Sequence, residues 1–138
     1  MVDAWRLLIS KETDPYLNMA VEQALLEAVE RGEVPNTLRL WRSSRSAVVG
    51  WSEDPEETVN LENCRRLQIH VLRRFTGGGT VYHDLGNLNW TFAFRKRREG
   101  EIISSVRIFE ACSDLLVEAL EGLGIRARFK PSNSLFIG

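Results

Sequence analysis

The feature that most constrains this chain is a run of three glycines, residues 77–79, between two segments of strand-like composition. Glycine has no Cβ, so it adopts positive φ and lets another group approach the main chain closely. Arg73 and Arg74 come just before the run and bring positive charge to a place where main-chain N–H groups converge. A short strand-like run, residues 80–82, and a second tight segment, residues 83–87, follow. The arrangement predicts a loop that holds an anionic ligand.

A simple hairpin turn without a ligand is the main alternative, because glycine often marks turns. Two observations disfavour it: a two-residue hairpin needs fewer glycines, and the arginine pair adds charge beside the loop. The loop also lacks the Gly-Lys-Ser/Thr ending of nucleotide hydrolases. Strand-like residues follow it, which disfavours the dinucleotide-binding pattern that opens a helix. An anion-binding loop between strands is therefore the favoured interpretation.

Residues 73–87 resemble the signature of the lipoate–protein ligase family, Arg-Arg-x-x-Gly-Gly-Gly-x-Val-x-His-Asp-x-Gly-Asn. The matching residues are Arg73, Arg74, Gly77, Gly78, Gly79, Val81, His83, Asp84, Gly86 and Asn87. The final Gly-Asn pair resembles the ligase branch, whereas the octanoyl transferase branch has a Gly-Gln-type ending. Residues 18–22 are similar to the family's first-helix signature, and residues 38–41 and 48–50 to its second and third strands. Asn133 stands where the family has an Asn after its long helix, so the resemblance covers nearly the whole chain.

This resemblance implies the α/β (α+β) fold shared by biotin and lipoate ligases and class II aminoacyl-tRNA synthetases. The order of strands and helices also favours a mixed, largely antiparallel sheet with packed helices. Residues 1–138 are then expected to be the amino-terminal part of a ligase catalytic domain, with the carboxy-terminal remainder absent and the fold incomplete. The family's catalytic lysine follows the Asn matched by Asn133, so it is expected beyond Gly138. A fragment, a truncated gene product and one half of a split enzyme all stay open.

The resemblance further implies a reaction in two steps. ATP and lipoate give lipoyl-adenylate and pyrophosphate, with Mg²⁺ bridging the ATP phosphates. The lipoyl group then passes to a lysine of an acceptor lipoyl domain. The expected partners are the lipoyl domains of 2-oxoacid dehydrogenase E2 or the glycine cleavage H protein, together with a separate carboxy-terminal ligase polypeptide as an alternative arrangement.

Two other functions stay open. One is a non-catalytic module that holds lipoyl-adenylate or a lipoyl domain, as in one half of a split ligase. The other is an octanoyl or lipoyl transferase that works through a cysteine thioester. The transferase ranks last because residues 130–138 contain no cysteine.

The resemblance and the chemistry together predict a binding site for the adenylate. Its predicted members are Arg73, Arg74, Gly77, Gly78, Gly79, Val81, Tyr82, His83, Asn87, Trp41, Val49 and Asn133. The loop amides and a neighbouring arginine would bind the phosphate. The candidates for the walls of an apolar acyl groove are Trp41, Val49, Val81 and Tyr82. No protein-only metal site is expected.

Three polar residues after the glycine loop have competing interpretations. His83 either accepts a proton or orients the ligand, or it donates to a backbone carbonyl, and the two interpretations are equally favoured. Asp84 is favoured as a cap of the turn before Gly86. Asn87 is expected to tie the second tight segment to the glycine loop through its side chain, with direct ligand contact as the alternative.

Charge and cysteine content disfavour several other classes. A net charge of −1 argues against nonspecific nucleic-acid binding. Cys64 and Cys112 make no disulfide framework, and each is expected to be a reduced, packed thiol. No apolar run approaches the ~20 residues that a membrane span needs, and no signal peptide is predicted, so the cytoplasm is the expected location. The cationic run at residues 95–98 is expected to be solvated, with docking of an acidic lipoyl domain as the alternative.

Periodicity and turn residues predict the order of the elements. Strands are predicted at residues 5–10, 37–42, 47–51, 70–75, 80–82, 88–94, 127–129 and 135–137, and a charged turn at residues 95–100. A first helix follows the cap Asp14 and ends at Gly32, a short helix covers residues 56–67, and a long helix runs from the cap Ser104 to Leu123. The apolar face of the long helix is expected to contain Val106, Phe109, Leu116, Val117 and Leu120.

Overall fold

The computed structural model describes residues 4–95, 97–98, 101–102, 104–130 and 134–137. Contacts divide the chain into two units, residues 1–95 and 96–138. The elements of the first unit are β1 (Arg6–Ile9), α1 (Pro15–Arg31), β2 (Thr37–Trp41), β3 (Ser46–Val49), α2 (Pro55–Thr58), α3 (Leu61–Arg66), β4 (His70–Arg73), β5 (Val81–His83) and β6 (Asn89–Ala93). The elements of the second unit are β7 (Arg97–Arg98), β8 (Glu101–Ile102), α4 (Ser105–Gly122), β9 (Ala127–Lys130) and β10 (Ser134–Ile137).

The strands of the first unit form two sheets of three. In one, β2 lies between β1, which runs parallel to it, and β6, which runs antiparallel. In the other, β3 lies between the parallel strand β4 and the antiparallel strand β5. The second unit adds the antiparallel pairs β7–β8 and β9–β10. The predicted mixed, largely antiparallel α+β fold is confirmed, although the described strands form four hydrogen-bonded sheets rather than one.

Helix α1 begins and ends where the sequence predicts. Asp14 Oδ1 accepts a hydrogen bond from Leu17 N at 2.8 Å, which satisfies one of the free amides of the first turn. Gly32 closes the helix with a φ of 76°, a left-handed conformation that glycine adopts without strain. The core beneath the helix consists of Leu25, Val29 and Ala93, with Val34 packed against them.

Residues 56–67 form two helices, so the prediction of one short helix was wrong. Helix α2 ends at Thr58, and α3 begins after Asn60. Val59 and Asn60 are both extended, and Asn60 Oδ1 accepts a hydrogen bond from Asn63 N at 2.9 Å. Asn60 therefore caps a new helix, and this cap residue was the signal that the periodicity missed.

In the second unit, α4 packs against β9, and β9 pairs with β10. The cap at Ser104 is confirmed, because its hydroxyl accepts from Arg107 N at 3.3 Å. The predicted apolar face is only partly right: Val106 and Phe109 are 66% and 47% exposed. The half-buried members of the face are Leu116, Val117 and Leu120. Periodicity predicts which positions share a stripe, but it does not predict how much of that stripe the neighbouring elements cover.

The charged segment at residues 95–100 is not a simple turn. Arg97–Arg98 pair with Glu101–Ile102, so the segment contains a small antiparallel ladder. Arg95 is exposed, as a solvated run predicts, and its Nε also donates to Val29 O at 2.8 Å. That carbonyl belongs to the last turn of α1, where cationic side chains interact favourably with the helix dipole.

Both cysteines are free thiols, as predicted. Cys64 is buried, and Cys112 is half-buried, which raises the pKa of its thiol. Among the helices that the structure describes, none combines the length and the apolar character that a bilayer crossing requires.

Candidate functional site

Arg74 fixes the shape of the glycine loop, which joins β4 to β5. Its Nε and Nη2 atoms donate to Gly77 O at 3.1 and 2.7 Å, and Nη2 also donates to Gly79 O at 2.9 Å. Its Nη1 atom donates to Val48 O at 3.0 Å, which ties the loop to β3. The guanidinium thus binds the loop carbonyls directly, so the positive charge that the sequence predicts beside the loop is in contact with it.

The amide groups of the loop are available to a ligand. Within the described residues, the N–H groups of Gly77, Gly78 and Gly79 have no protein acceptor. Gly78 has a φ of 91°, which explains a glycine at that position. A Cβ added at Gly77 or Gly79 would meet no atom within 4 Å. The fold therefore leaves open space and unpaired donors at the same place.

The segment after β3, residues 50–53, packs against the glycine loop. A Cβ added at Gly50 would lie 1.9 Å from Gly78 O, so the two main chains touch only because Gly50 has no side chain. The Glu53 carboxylate accepts from Gly50 N at 3.2 Å and from the Thr80 hydroxyl at 2.8 Å. Glu53 was not predicted, and its position three residues after a strand-ending glycine was the only signal in the sequence.

Arg73 donates hydrogen bonds to main-chain carbonyls of the same segment, residues 50–53. Its Nη1 atom donates to the carbonyls of Gly50, Trp51 and Glu53 at 2.8, 2.8 and 2.7 Å. Its Nε and Nη2 atoms have no partner in the part of the chain that the structure describes. Arg73 therefore retains donors for an anion, whereas Arg74 has used most of its own on carbonyls.

The ring of His83 lies against Trp41, and it has no hydrogen bond to any residue that the structure describes. The two rings meet edge to face, with centroids 5.5 Å apart and an interplanar angle of 80°. His83 Nδ1 is buried and has no partner among the described residues, so the predicted bond to a backbone carbonyl is not found. Burial, and secondarily the charge of Arg74, lower the pKa of His83 below its usual value. A neutral imidazole with an unpaired nitrogen is a suitable partner for a ligand atom.

The register of β3 and β5 divides the predicted acyl-groove residues between two faces. Val81 and His83 lie on one face, and Tyr82 lies on the other. By strand alternation Val49 shares the face of Tyr82, and it is only 1% exposed. Trp41 contacts His83 and so lies with Val81. By register, a single groove on the face of Val81 excludes both Tyr82, which is exposed on the other face, and Val49, which is a core residue.

The second tight segment satisfies its own polar groups. Asp84 Oδ1 accepts from Gly86 N at 2.8 Å, which matches the predicted turn cap. Asn87 Oδ1 accepts from Asp84 N at 2.9 Å, and Asn87 N donates to Asp84 O at 3.1 Å. The side chain of Asn87 therefore closes its own turn, and the prediction that it ties this turn to the glycine loop was wrong.

A buried ion pair beside Trp41 was not predicted. Arg39 is completely buried, and its Nη1 donates to Glu22 Oε1 at 2.6 Å. Glu22 Oε2 accepts from the Thr91 hydroxyl at 2.6 Å, and that hydroxyl accepts from Trp41 Nε1 at 3.1 Å. Asn18, also fully buried, accepts from Arg39 Nη2 at 2.5 Å. The network fixes α1 to the sheet that carries Trp41. An arginine alternating with leucines in β2 was its available signal.

The sequence model described as the lipoyl protein ligase A/B catalytic domain matches residues 14–138. The chain belongs to this family. The match spans the glycine loop, the turn at residues 84–87 and the buried pair of Arg39 and Glu22. The resemblance stated from residues 73–87 is therefore confirmed over most of the chain.

Two relatives in the lipoyl protein ligase family show how much of a longer protein this chain resembles. A Mycoplasma pneumoniae protein named as a lipoate-protein ligase A is 30% identical over 95% of this chain and 38% of its own length. An Aeropyrum pernix protein named likewise is 34% identical over 90% of this chain and 45% of its own length. The chain thus spans less than half the length of these relatives.

Solved structures of similar proteins confirm the fold. A bi-partite lipoate protein ligase from Thermoplasma acidophilum, studied with its E2 lipoyl domain, has a TM-score of 0.80 and 30% identity over 98% of this chain and 51% of that chain. A T. acidophilum protein with bound lipoic acid has a TM-score of 0.78 and 29% identity over 97% and 54%. A lipoate-protein ligase A bound with ATP has a TM-score of 0.74 and 32% identity over 94% and 51%.

One predicted site residue, Asn133, lies outside the residues that the structure describes. The others lie in the first unit, where the fold brings Arg73, Arg74 and Gly77–79 together at the carboxyl end of β4. Trp41, Val81 and His83 form a second group on one face of β5. Val49 is a core residue, and the side chain of Asn87 bonds within its own turn.

Proposed function

We propose that the first unit holds the lipoyl-adenylate pocket of a lipoate–protein ligase, of which this chain is the amino-terminal catalytic part. The observation that carries the proposal is the glycine loop itself. Its carbonyls are bound by Arg74, its amides have no protein acceptor among the described residues, and Gly77 and Gly79 face open space. No contact within the described fold accounts for glycine at these two positions, whereas the close approach of a phosphate would.

The proposed chemistry needs three things from the chain. The phosphate of the adenylate would accept hydrogen bonds from the loop amides and from the unpaired nitrogens of Arg73. The acyl chain would lie along Trp41 and Val81, where His83 offers a neutral imidazole. A mixed anhydride hydrolyses readily, so a pocket closed to water would protect it until transfer.

The relatives support the choice of ligands. One similar structure contains lipoic acid and another contains ATP, and we extend both ligands to this chain. Mg²⁺ is expected to arrive with the nucleotide, because Mg²⁺ is usually held by substrate phosphates and one or two carboxylates. Among the described residues, no group of three acidic, histidine or cysteine side chains could hold a metal ion, so we assign no step to the metal.

The transfer step requires residues and partners beyond the glycine loop. We propose that the lipoyl group passes to a lysine of a lipoyl domain of E2 or of the glycine cleavage H protein, in the cytoplasm. A relative studied with its E2 lipoyl domain supports the first of these partners. The catalytic lysine is proposed to lie in the part of the longer relatives that this chain does not span.

Two alanine variants in the loop test the proposal. Gly79→Ala places a methyl group in open space, so we expect unchanged or slightly higher stability and an affinity for a non-hydrolysable lipoyl-adenylate analogue that falls about tenfold or more. Gly78→Ala forces a positive φ, so it should lower stability by about 1–2 kcal/mol as well. Calorimetry and urea unfolding measure the two effects separately.

Gly122→Ala is the matched control, because its added Cβ also meets nothing within 4 Å and it lies in α4. This variant should keep full affinity for the analogue. The proposal fails if Gly79→Ala binds the analogue as tightly as the unmodified chain does.

A second candidate is a binding module or one half of a split ligase that cannot catalyse alone. The similarity to a bi-partite ligase favours keeping this candidate. The discriminating assay measures ATP-dependent lipoylation of a lipoyl domain by residues 1–138, with and without a carboxy-terminal ligase polypeptide. We expect weak or no activity from this chain alone. Robust lipoylation by the purified chain would contradict the proposal that the catalytic lysine lies outside it, and it would also contradict the half of a split ligase.

A further inference from the structure

A cavity lies at the end of the β4–β3–β5 sheet that is opposite the glycine loop. It has a volume of about 500 Å³ and is lined by residues 44–45, 64–65 and 68–70. His70 begins β4 and Ser46 begins β3, whereas the glycine loop follows the carboxyl end of β4. The volume falls within the range of roughly 300–1,000 Å³ that is typical of small-molecule sites. The cavity is therefore large enough for a ligand and separate from the adenylate pocket.

The charged side chains of this cavity are uncompensated. Arg45 and Arg65 line it, and neither guanidinium has a hydrogen bond or an ion pair within the described residues. No aspartate or glutamate is among the lining residues. By contrast Arg66, the next residue on α3, donates to Asn63 Oδ1 at 3.1 Å and does not line the cavity. Two unpaired guanidinium groups in one concavity form a site for an oxyanion.

Gln68 occupies a backbone position that normally favours glycine. Gln68 N donates to Arg65 O at 3.2 Å and Ile69 N donates to Cys64 O at 2.8 Å, which is the Schellman arrangement after a helix end. Gln68 has a φ of 54°, and it is the only non-glycine residue with positive φ in the described part of the chain. A glycine would relieve this strain, but it would remove an amide side chain that lines the cavity beside both arginines.

We propose that this cavity binds a small phosphate-bearing ligand through Arg45, Arg65 and the amide of Gln68. A planar guanidinium can donate two parallel hydrogen bonds to the oxygens of a phosphate. Two guanidinium groups favour a ligand that carries more than one negative charge. His70 adds an imidazole to the same wall. Its volume of about 500 Å³ is that of a small-molecule site, which favours a small phosphate-bearing molecule as the occupant.

The test is a titration of the full chain with inorganic pyrophosphate at constant ionic strength, followed through the backbone amide shifts. We expect saturable shifts at residues 44–45 and 64–70 that are independent of any shifts at residues 77–79. Arg45→Gln and Arg65→Gln should each lower the affinity at the first group about tenfold, while Arg66→Gln should change it less than about twofold.

Gln68→Gly provides a second readout that a purely structural role would not produce. It should raise the midpoint of thermal unfolding because the φ of 54° suits glycine, and it should weaken pyrophosphate binding several-fold. The proposal is overturned if the shifts occur only at residues 77–79, if Arg66→Gln and Arg65→Gln weaken binding equally, or if Gln68→Gly leaves the affinity unchanged. The first result would leave the adenylate pocket intact, so the two proposals fail independently.

Discussion

Arg39 and Arg74 both donate several hydrogen bonds within the first unit, but they meet different partners. Arg39 is fully buried and donates to the Glu22 carboxylate at 2.6 Å, so its charge is neutralised inside the fold. Arg74 donates to the carbonyls of Val48, Gly77 and Gly79, and it has no carboxylate partner among the described residues. The charge of Arg39 is therefore paired within a buried network, whereas Arg74 leaves a net positive charge at the glycine loop.

This difference separates a structural arginine from one that we propose binds a ligand in the same unit. A buried ion pair loses its hydration and regains the energy only through a complete set of hydrogen bonds, which Asn18 and Thr91 help to complete around Arg39 and Glu22. A guanidinium held by carbonyls keeps its charge, so it still attracts an anion. We infer that removing Arg39 mainly affects folding and that removing Arg74 mainly affects binding.

The largest expected effect is the loss of stability when Arg39 is removed. Arg39→Leu leaves the Glu22 carboxylate without its cation, so the free energy of unfolding should fall by about 3–5 kcal/mol. Urea unfolding measures this change. Arg31→Gln is the control, because Arg31 makes only exposed ion pairs, and it should leave stability nearly unchanged. Equal effects of the two variants would contradict the structural role of the buried pair.

The second effect concerns ligand affinity. Arg74→Ala removes the donors that orient the loop carbonyls, and it removes the nearby charge. We expect binding of a non-hydrolysable lipoyl-adenylate analogue to weaken by about 1.5–3 kcal/mol, the range for hydrogen bonds to charged groups. Arg66→Gln, which breaks only a local bond to Asn63, serves as the control. Calorimetry showing unchanged affinity for Arg74→Ala would remove Arg74 from the site.

The sequence was sufficient for features that depend on local chemistry. The cap at Asp14, the helix end at Gly32 and the positive φ at Gly78 all follow from what single residues allow. The helix break at Asn60 was missed because apolar spacing outweighed a cap residue. Local rules therefore worked where one residue decides the conformation, and they failed where two signals competed.

Long-range pairing explains what the sequence could not predict about the site. The bond between Glu22 and Arg39 spans 17 residues, and the bond between Thr91 and Glu22 spans 69. Val49 and Val81 are the same residue type, yet strand register buries Val49 and exposes Val81. The glycine loop was predicted because consecutive residues define it, whereas the faces on which Val49, Val81 and Tyr82 lie depend on strand register.

A smaller effect should come from the turn after β5, which satisfies itself. Asp84→Ala removes the acceptor for Gly86 N, so stability should fall by about 0.5–1.5 kcal/mol. Affinity for the adenylate analogue should not change, because Asp84 acts within its own turn. Leu85→Ala, at an exposed position of the same turn, should affect neither quantity. A loss of affinity in Asp84→Ala without a loss of stability would place Asp84 in the binding site.

The smallest effect is a pH dependence of stability that reports the burial of His83 and, secondarily, the charge of Arg74 beside it. Burial, and then Arg74, lower the pKa of folded His83 below 6.5, so the unfolded chain binds a proton at a higher pH than the folded chain does. The free energy of unfolding should therefore decrease as the pH falls below about 6.5 and level off once folded His83 is also protonated. His83→Gln should remove this component of the pH profile in urea unfolding, and Arg74→Ala should reduce it. His70→Gln, the control at the other histidine, should retain it. Equal slopes for His83→Gln and the unmodified chain would contradict the lowered pKa of His83, and equal slopes for Arg74→Ala and the unmodified chain would show that the charge of Arg74 does not reach the imidazole.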